Sequence, residues 1–423
     1  MLGKETLNAL GILDLGVDEA GESNDDSIDL LAERITSIRN GDFQPMSTIS
    51  QFTSILYRTG VPGPWNLEAI NLKRRAIKIG SGSQFTVFRE HEQFLGNEDL
   101  VIKRINIPLS WEDGKAFPSG SVYRLQLRTL ELEILALCNP SLRNHRNIVR
   151  LISWGYDYPF PDTRVPVLFM EAAMMTLTEF LKVENEDLMG ERPADIKYQL
   201  SLDIVAGLEA LHSLHIVHGD VKPDNVLIFR ETSSTVPFCA KISDFGVSID
   251  METSERILTI DDYRGTPTWL PPEVRDMSRW GVFKPDVMFR FDSFSLGLLL
   301  LSIFTRRGEP VSFVDGEDLI DVAIESLRSK DCISFGLRMQ LTKTLRLLLA
   351  EDPWKRSLPC PELLRTDTPV FASWYGCLTP MFILLNSILT VIGFPSLRAA
   401  ANQHPIMVPW TLPIIKVHCS GIN

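Results

Sequence analysis

The chain has 423 residues, 44% of them hydrophobic, which suffices for two or three domains with a sizeable core and excludes a disordered chain. Its formal net charge of −12 argues against nucleic acid as a partner, because phosphate backbones reward lysine and arginine. Six cysteines, at 138, 239, 332, 360, 377 and 419, follow no CxxC or Cys/His ligand spacing, so they read as reduced packing thiols rather than a zinc module or a disulfide framework.

The opening MLGKETLNALGILDLG has no long apolar run behind basic residues, and acidic residues follow at once, so the main body is expected in the cytoplasm or nucleus. After the turn-rich GVDEAGESNDDS, SIDLLAERITSI puts Ile28, Leu31, Ile35 and Ile38 at helical spacing. TGVPGPW reads as a linker. Residues 1–73 are therefore expected to be a partly helical N-terminal extension.

From about residue 72 the texture becomes strand-like, with RRAIKIG, QFTVFRE and DLVIKRINI, each short, β-branched and bounded by Gly, Asn or Pro. A long helical pattern, VYRLQLRTLELEILALC, and two more strand-like runs, IVRLISWGY and PVLFME, come next. Beyond Thr176 the chain turns helical, with Leu200, Ile204, Leu208 and Leu211 on one face. Strands first and helices second predict an α+β, two-lobed fold. FDSFSLGLLLLSIF is apolar all round and short for a membrane span, which suits a helix buried in the second lobe.

The tail, residues 367–423, differs. From Thr368 to Leu397 it carries no charge, and residues 371–394 are long enough to cross a bilayer, with Trp374 and Tyr375 at one interface and Arg398 beyond the other. Pro380, Asn386, Ser387 and Gly393 interrupt that run, so a helix packed on the body or an irregular tail fits equally.

HGDVKPDN, His218 to Asn225, crowds two aspartates, a lysine and an asparagine behind an apolar helix. Alone it reads equally as a turn with a helix cap. Past the strand-like NVLIF and AKI comes SDFG, which adds a third oxygen-bearing side chain at the ends of adjacent strands, as a Mg²⁺ site requires. Upstream, IGSGSQFTV (Ile79 to Val87) lies between two predicted strands, where glycines let backbone amides approach phosphate oxygens, although most such loops are only tight hairpins. Lys103, alternating into the apolar face of its strand, needs an anionic partner.

Glycine-rich hairpin, strand lysine, helix glutamate, HGDVKPDN, DFG and GTPTWLPPE occur in that order, and together they resemble the protein kinase family over residues 74–366. The resemblance implies a small lobe, residues 74–172, of antiparallel sheet with one long helix, and a larger, mainly helical lobe, residues 173–366. It implies ATP and Mg²⁺ as cofactors, Asp220 as acceptor of the substrate hydroxyl proton, and Lys222 near the transferred phosphoryl group. Asn225 and Asp244 would hold the metal, and Lys103 would grip the phosphates while paired to a helix glutamate. Both Glu131 and Glu133 are available; Glu133 is favoured by the apolar residues after it, and the other would be a solvated helix residue. Ile79, Gly80, Ser81, Gly82, Val87 and Leu227 would enclose the nucleotide, Met170 would guard the pocket, and Glu171 and Ala173 would offer backbone contacts to adenine. Lys222 and Thr266 resemble the serine/threonine type, which implies protein substrates with Ser or Thr acceptors. Glu273 and Arg356 fall where kinases place a buried ion pair, and Asp292 where an aspartate ties down the catalytic loop.

Three positions depart from the pattern: Phe85 replaces the third glycine of the phosphate loop, Gly219 the catalytic-loop arginine, and Pro271 the alanine of APE. Without that arginine, control by activation-loop phosphorylation is not expected; Ser248, Thr253, Ser254, Thr259 and Tyr263 are read as exposed hydroxyls, and an arginine at 219 is expected to change basal activity little unless a loop hydroxyl is phosphorylated. A nucleotide-gated scaffold and a small-molecule phosphotransferase are the rival readings, the first supported by Phe85 and Gly219, the second weakened by GTPTWLPPE.

Overall fold

The computed structural model describes residues 49–358, apart from 64, 67–75, 83, 91–99, 108, 113–114, 119, 161–162, 191–192, 233–235, 253–261, 277–283, 312–318 and 331–332. The strand-like runs of the first half form β1 (Trp65–Asn66), β2 (Ala76–Ser81), β3 (Phe85–Glu90), β4 (Leu100–Ile105), β5 (Leu109–Glu112), β6 (Lys115–Pro118), β7 (Leu151–Phe160) and β8 (Thr163–Glu171). Six of them make one sheet in the order β1-β7-β8-β4-β3-β2, antiparallel except that β1 runs parallel to β7; β5 and β6 pair separately. Period-two alternation divides β4: Leu100 and Ile102 join Val167 and Phe169 on one face, and Lys103 and Ile105 point to the other. That second face receives the long helix α2 (Gly120–Leu137), whose Leu127, Leu130 and Ile134 are fully buried.

Ahead of the sheet stands a helix absent from the periodicity reading, α1 (Ile49–Arg58), which buries Phe52, Ile55 and Leu56 in the main core. Phe52 meets Trp154 and Tyr156 edge-on, with ring centroids 5.7 and 5.8 Å apart. TGVPGPW is no free linker: Trp154 Nε1 donates to Val61 O at 3.1 Å, Ser153 Oγ donates to Pro62 O at 2.6 Å, and Trp65 pairs with Gly155. The helix expected over residues 28–38 lies outside the described residues. Phe52→Ala is expected to lower the unfolding free energy by about 3–5 kcal/mol in a denaturant titration, because a buried aromatic leaves a cavity. A loss under about 1 kcal/mol would mean that α1 is not part of the cooperative core.

The large lobe contains β9 (Met175–Thr176), α3 (Leu177–Phe180), α4 (Pro193–Ser213), β10 (Ile216–Val217), β11 (Val226–Arg230), β12 (Phe238–Ile242), β13 (Ile249–Asp250), α5 (Pro272–Arg275), α6 (Met288–Thr305), α7 (Leu319–Arg328) and α8 (Phe335–Leu348). Leu200, Ile204, Leu208 and Leu211 form the buried face of α4, as their spacing predicts. The apolar segment forms α6; it is long and apolar enough to cross a membrane, yet 83% of it is buried inside the lobe, which identifies a core helix. Residues 371–394 lie outside the described residues. Cys138 and Cys239 are free and buried, and burial pushes each thiol up to about 11, so they are packing thiols; the other four cysteines are outside the described residues.

Candidate active site

Strand β4 delivers Lys103 to the underside of the sheet, where it is 11% exposed, and α2 brings Glu133, fully buried, against it. Lys103 Nζ donates to Glu133 Oε1 at 2.6 Å and to Asp244 Oδ1 at 2.9 Å. Glu133 Oε2 accepts the Phe245 N–H at 2.7 Å, so this one carboxylate joins the lysine to the DFG backbone, a link no motif announces. Burial opposes the charge on Lys103, but Asp244 and Glu133 outweigh it and raise the ammonium above its ordinary value. Burial likewise pushes the Asp244 carboxyl up, but Lys103 pulls it below the usual carboxylate range. Asp244 sits at φ 65°, a strained backbone for aspartate.

The loop after β10 holds Asp220 from three sides. Thr266 N–H donates to Oδ1 at 2.7 Å, while Lys222 Nζ at 2.6 Å and Asn225 Nδ2 at 3.1 Å donate to Oδ2. Lys222 also donates to Thr266 Oγ1 at 2.7 Å. Asn225 O accepts from Ser243 N at 2.9 Å, which ties this loop to the DFG strand end. His218 fixes the turn: Ser243 O can only accept, so Nε2 donates to it at 3.1 Å, and Nδ1 accepts the Asp220 N–H at 3.2 Å.

Beneath the loop, Asp292 at the start of α6 is fully buried and accepts four hydrogen bonds. The donors are His212 Nε2 at 2.9 Å, His218 N–H at 2.7 Å, Gly219 N–H at 3.0 Å and Tyr263 OH at 2.9 Å. Burial would raise this carboxyl, but the His212 bond and the surrounding donors hold it below the ordinary range.

The remaining expected residues lie on β2, β3, β8 and β11 or directly beside them. Ile79, Gly80, Ser81, Gly82 and Val87 lie on or between β2 and β3, with Val87 opposite Lys103 in the register. Met170 is buried near the end of β8, followed by Glu171 and Ala173. Glu171 commits its carboxylate to Lys241 Nζ at 2.7 Å and Arg150 N–H at 2.8 Å, and its own N–H donates to Arg150 O at 3.2 Å. Leu227, half-buried, is opposite Thr176 and Lys241.

The protein kinase domain family matches residues 74–357 of this chain. The chain belongs to the protein kinase family. It is 30% identical over 226 residues to a probable receptor-like protein kinase of Arabidopsis thaliana, a match that covers 49% of this chain and 26% of that protein. It is 31% identical over 273 residues to the serine/threonine-protein kinase TOS3 of Saccharomyces cerevisiae, 57% of this chain and 44% of that protein. A leucine-rich repeat receptor-like protein kinase of Arabidopsis thaliana, TDR, is 24% identical over 326 residues, 73% of this chain and 28% of its own length. Each match therefore takes in less than half of the relative.

Several expectations for this kinase domain need correction. Glu131 is not solvated: it is fully buried and accepts from Arg128 Nη1 at 2.7 Å. Ser248 and Tyr263 are not exposed hydroxyls either; both are buried, and burial with the nearby Asp292 charge pushes the Tyr263 phenol well above its ordinary value, keeping it a donor. Thr253, Ser254 and Thr259 lie outside the described residues. Asp224, which motif reading leaves without a role, accepts from Thr178 Oγ1 at 2.8 Å and so links the kinase loop to α3.

Gly219 needs the largest revision. Its φ is +81°, and a Cβ built there would stand 2.7 Å from Val247 O, so the glycine meets a backbone requirement of this kinase loop. Gly219→Arg is expected to cost about 1–2 kcal/mol in a thermal melt through left-handed strain alone, before Val247 moves aside. An unchanged melt would restore the view that only a phosphate-binding side chain is missing.

Proposed function

We propose that the kinase domain, residues 74–366, transfers the γ-phosphoryl group of ATP to Ser or Thr hydroxyls of protein substrates, with Mg²⁺. The observation that carries this reading is the immobilised Asp220 carboxylate, held by Lys222, Asn225 and the Thr266 N–H. A carboxylate fixed in that manner is pre-positioned to take a proton from an alcohol, and such positioning does most of what phosphoryl transfer requires.

The donor set suits magnesium. Among the described residues no three His, Cys, Asp or Glu side chains cluster as a metal cage. Mg²⁺ is usually bound by one or two protein oxygens together with substrate phosphates and water, which is what Asp244 and Asn225 can offer. Asn225 has its Nδ2 committed to Asp220, so Oδ1 is the oxygen left for a cation. When bound, the ion neutralises phosphate charge. Lys103 would orient the α and β phosphates, and Lys222 would stabilise charge on the transferred group.

The Lys222–Thr266 hydrogen bond supports a Ser/Thr acceptor, as does the name of the yeast relative. Phosphoamino-acid analysis of a generic protein substrate labelled by the full chain and Mg-ATP tests this. Phosphoserine and phosphothreonine are expected; label confined to phosphotyrosine or to small molecules would overturn the reading.

A further inference from the structure

Phe85 stands where the kinase pattern has its third glycine, and pairing in the sheet decides where its side chain goes. Directly opposed residues of antiparallel strands share a face, and Phe85 pairs with Ile105 while Val87 pairs with Lys103. Phe85 thus points to the same side as the Lys103 ammonium. The ring is 5% exposed and its centroid lies 4.3 Å from Lys103 Nζ.

An ammonium has three N–H donors. Two are used by Glu133 Oε1 at 2.6 Å and Asp244 Oδ1 at 2.9 Å, and the Phe85 ring covers a further side of the nitrogen in a cation–π contact. The backbone that carries the ring is pinned. Asn106 N–H donates to Gln84 O at 2.8 Å, Asn106 Nδ2 donates to Gly82 O at 2.9 Å, and Thr86 Oγ1 donates to Asn106 Oδ1 at 2.7 Å. Gly82 N–H is also turned inward, to Phe85 O at 2.8 Å. Two of the groups expected to meet phosphate are therefore engaged within the protein.

We propose that Phe85 is a built-in plug on the phosphate side of Lys103, held by the Asn106 clasp, and that it sets the affinity of this site for phosphate-bearing nucleotides. This rests on the site being an ATP site, as proposed above. A polyphosphate must displace the ring to reach the ammonium, whereas a nucleoside without phosphates need not. The plug therefore selects against phosphate and leaves base recognition alone.

Titration calorimetry on the full chain, with ATP, ADP and adenosine in the presence of Mg²⁺, separates the possibilities. Phe85→Gly is expected to tighten ATP and ADP by about tenfold, the size of a desolvated cation–π contact, while adenosine stays within about twofold. Phe85→Leu, which retains apolar packing without the aromatic face, is expected to fall between wild type and Phe85→Gly. ATP binding that is unchanged or weaker in Phe85→Gly overturns the plug, and so does an equal gain for adenosine. Absence of binding by all three ligands to wild type and variants overturns the ATP-site reading itself, and the plug with it.

Discussion

Lys103→Met is expected to abolish most phosphoryl transfer, by about 10²–10³-fold in kcat/KM, and to destabilise the domain at the same time. Lys103 pairs with both carboxylates at once, at 2.6 Å from Glu133 and 2.9 Å from Asp244. Removing it leaves Glu133, fully buried, as an uncompensated carboxylate beside a second one. The stability loss should be about 3 kcal/mol, the low end for a broken buried pair, because the Asp244 side chain is 40% exposed and water screens its share. The pH dependence supplies a check on the cause. Burial and the Asp244 charge already raise the Glu133 carboxyl, and loss of Lys103 raises it further. A carboxyl with a folded value above its unfolded one is stabilising below the unfolded value and loses that contribution as pH rises. The deficit of Lys103→Met relative to wild type should therefore shrink toward pH 4.5, the ordinary value for glutamate, and widen toward neutrality. A pH-independent deficit would assign the loss to packing.

Arg356→Leu is expected to destabilise the large lobe by about 3–5 kcal/mol in a denaturant titration. Arg356 and Glu273 are both fully buried, and the pair is bidentate: Nη1 meets Oε1, and Nη2 donates to Oε2 at 3.1 Å. Arg356 further donates from Nε to Ala350 O at 2.6 Å and from Nη2 to Glu351 O at 3.0 Å, and its guanidinium lies 4.7 Å from the Phe294 ring centroid. It thereby joins α5, the end of α8 and α6. Removal leaves Glu273 as a buried charge without its bidentate partner, which is the costly half of the change. Glu273→Leu combined with Arg356→Leu should therefore cost less than the two single changes summed, and simple additivity would show that the two charges do not act as a pair.

What the sequence shows and what it hides follow from the physics of each residue. Lys103 was legible because an ammonium inside an alternating apolar strand demands a counterion, and α2 supplies Glu133. The buried α6 was legible because it has no polar face. Spacing makes Glu131 look solvated because it cannot show that the carboxylate is buried while its partner Arg128 stays at the surface. Tyr263 and Ser248 were misread because a hydroxyl in a loop looks exposed until the loop folds back onto Asp292 and Phe245. The helix α1 was present as a signal, with Phe52, Ile55 and Leu56 at helical spacing, but the proline- and glycine-rich stretch behind it suggested a link rather than a packed edge. Gly219 looked like a missing side chain because a sequence does not display φ.

The central claim is that Asp220, Asn225, Asp244 and Lys103 form one phosphoryl-transfer site. Transfer of labelled phosphate from Mg-ATP to a Ser/Thr protein substrate, by wild type and Asp220→Asn at equal concentration, tests it most directly. Asparagine retains the shape of the side chain and loses the proton acceptor, so the account predicts a rate lower by about 10²–10⁴-fold with the fold intact. Equal transfer by the two proteins would contradict it.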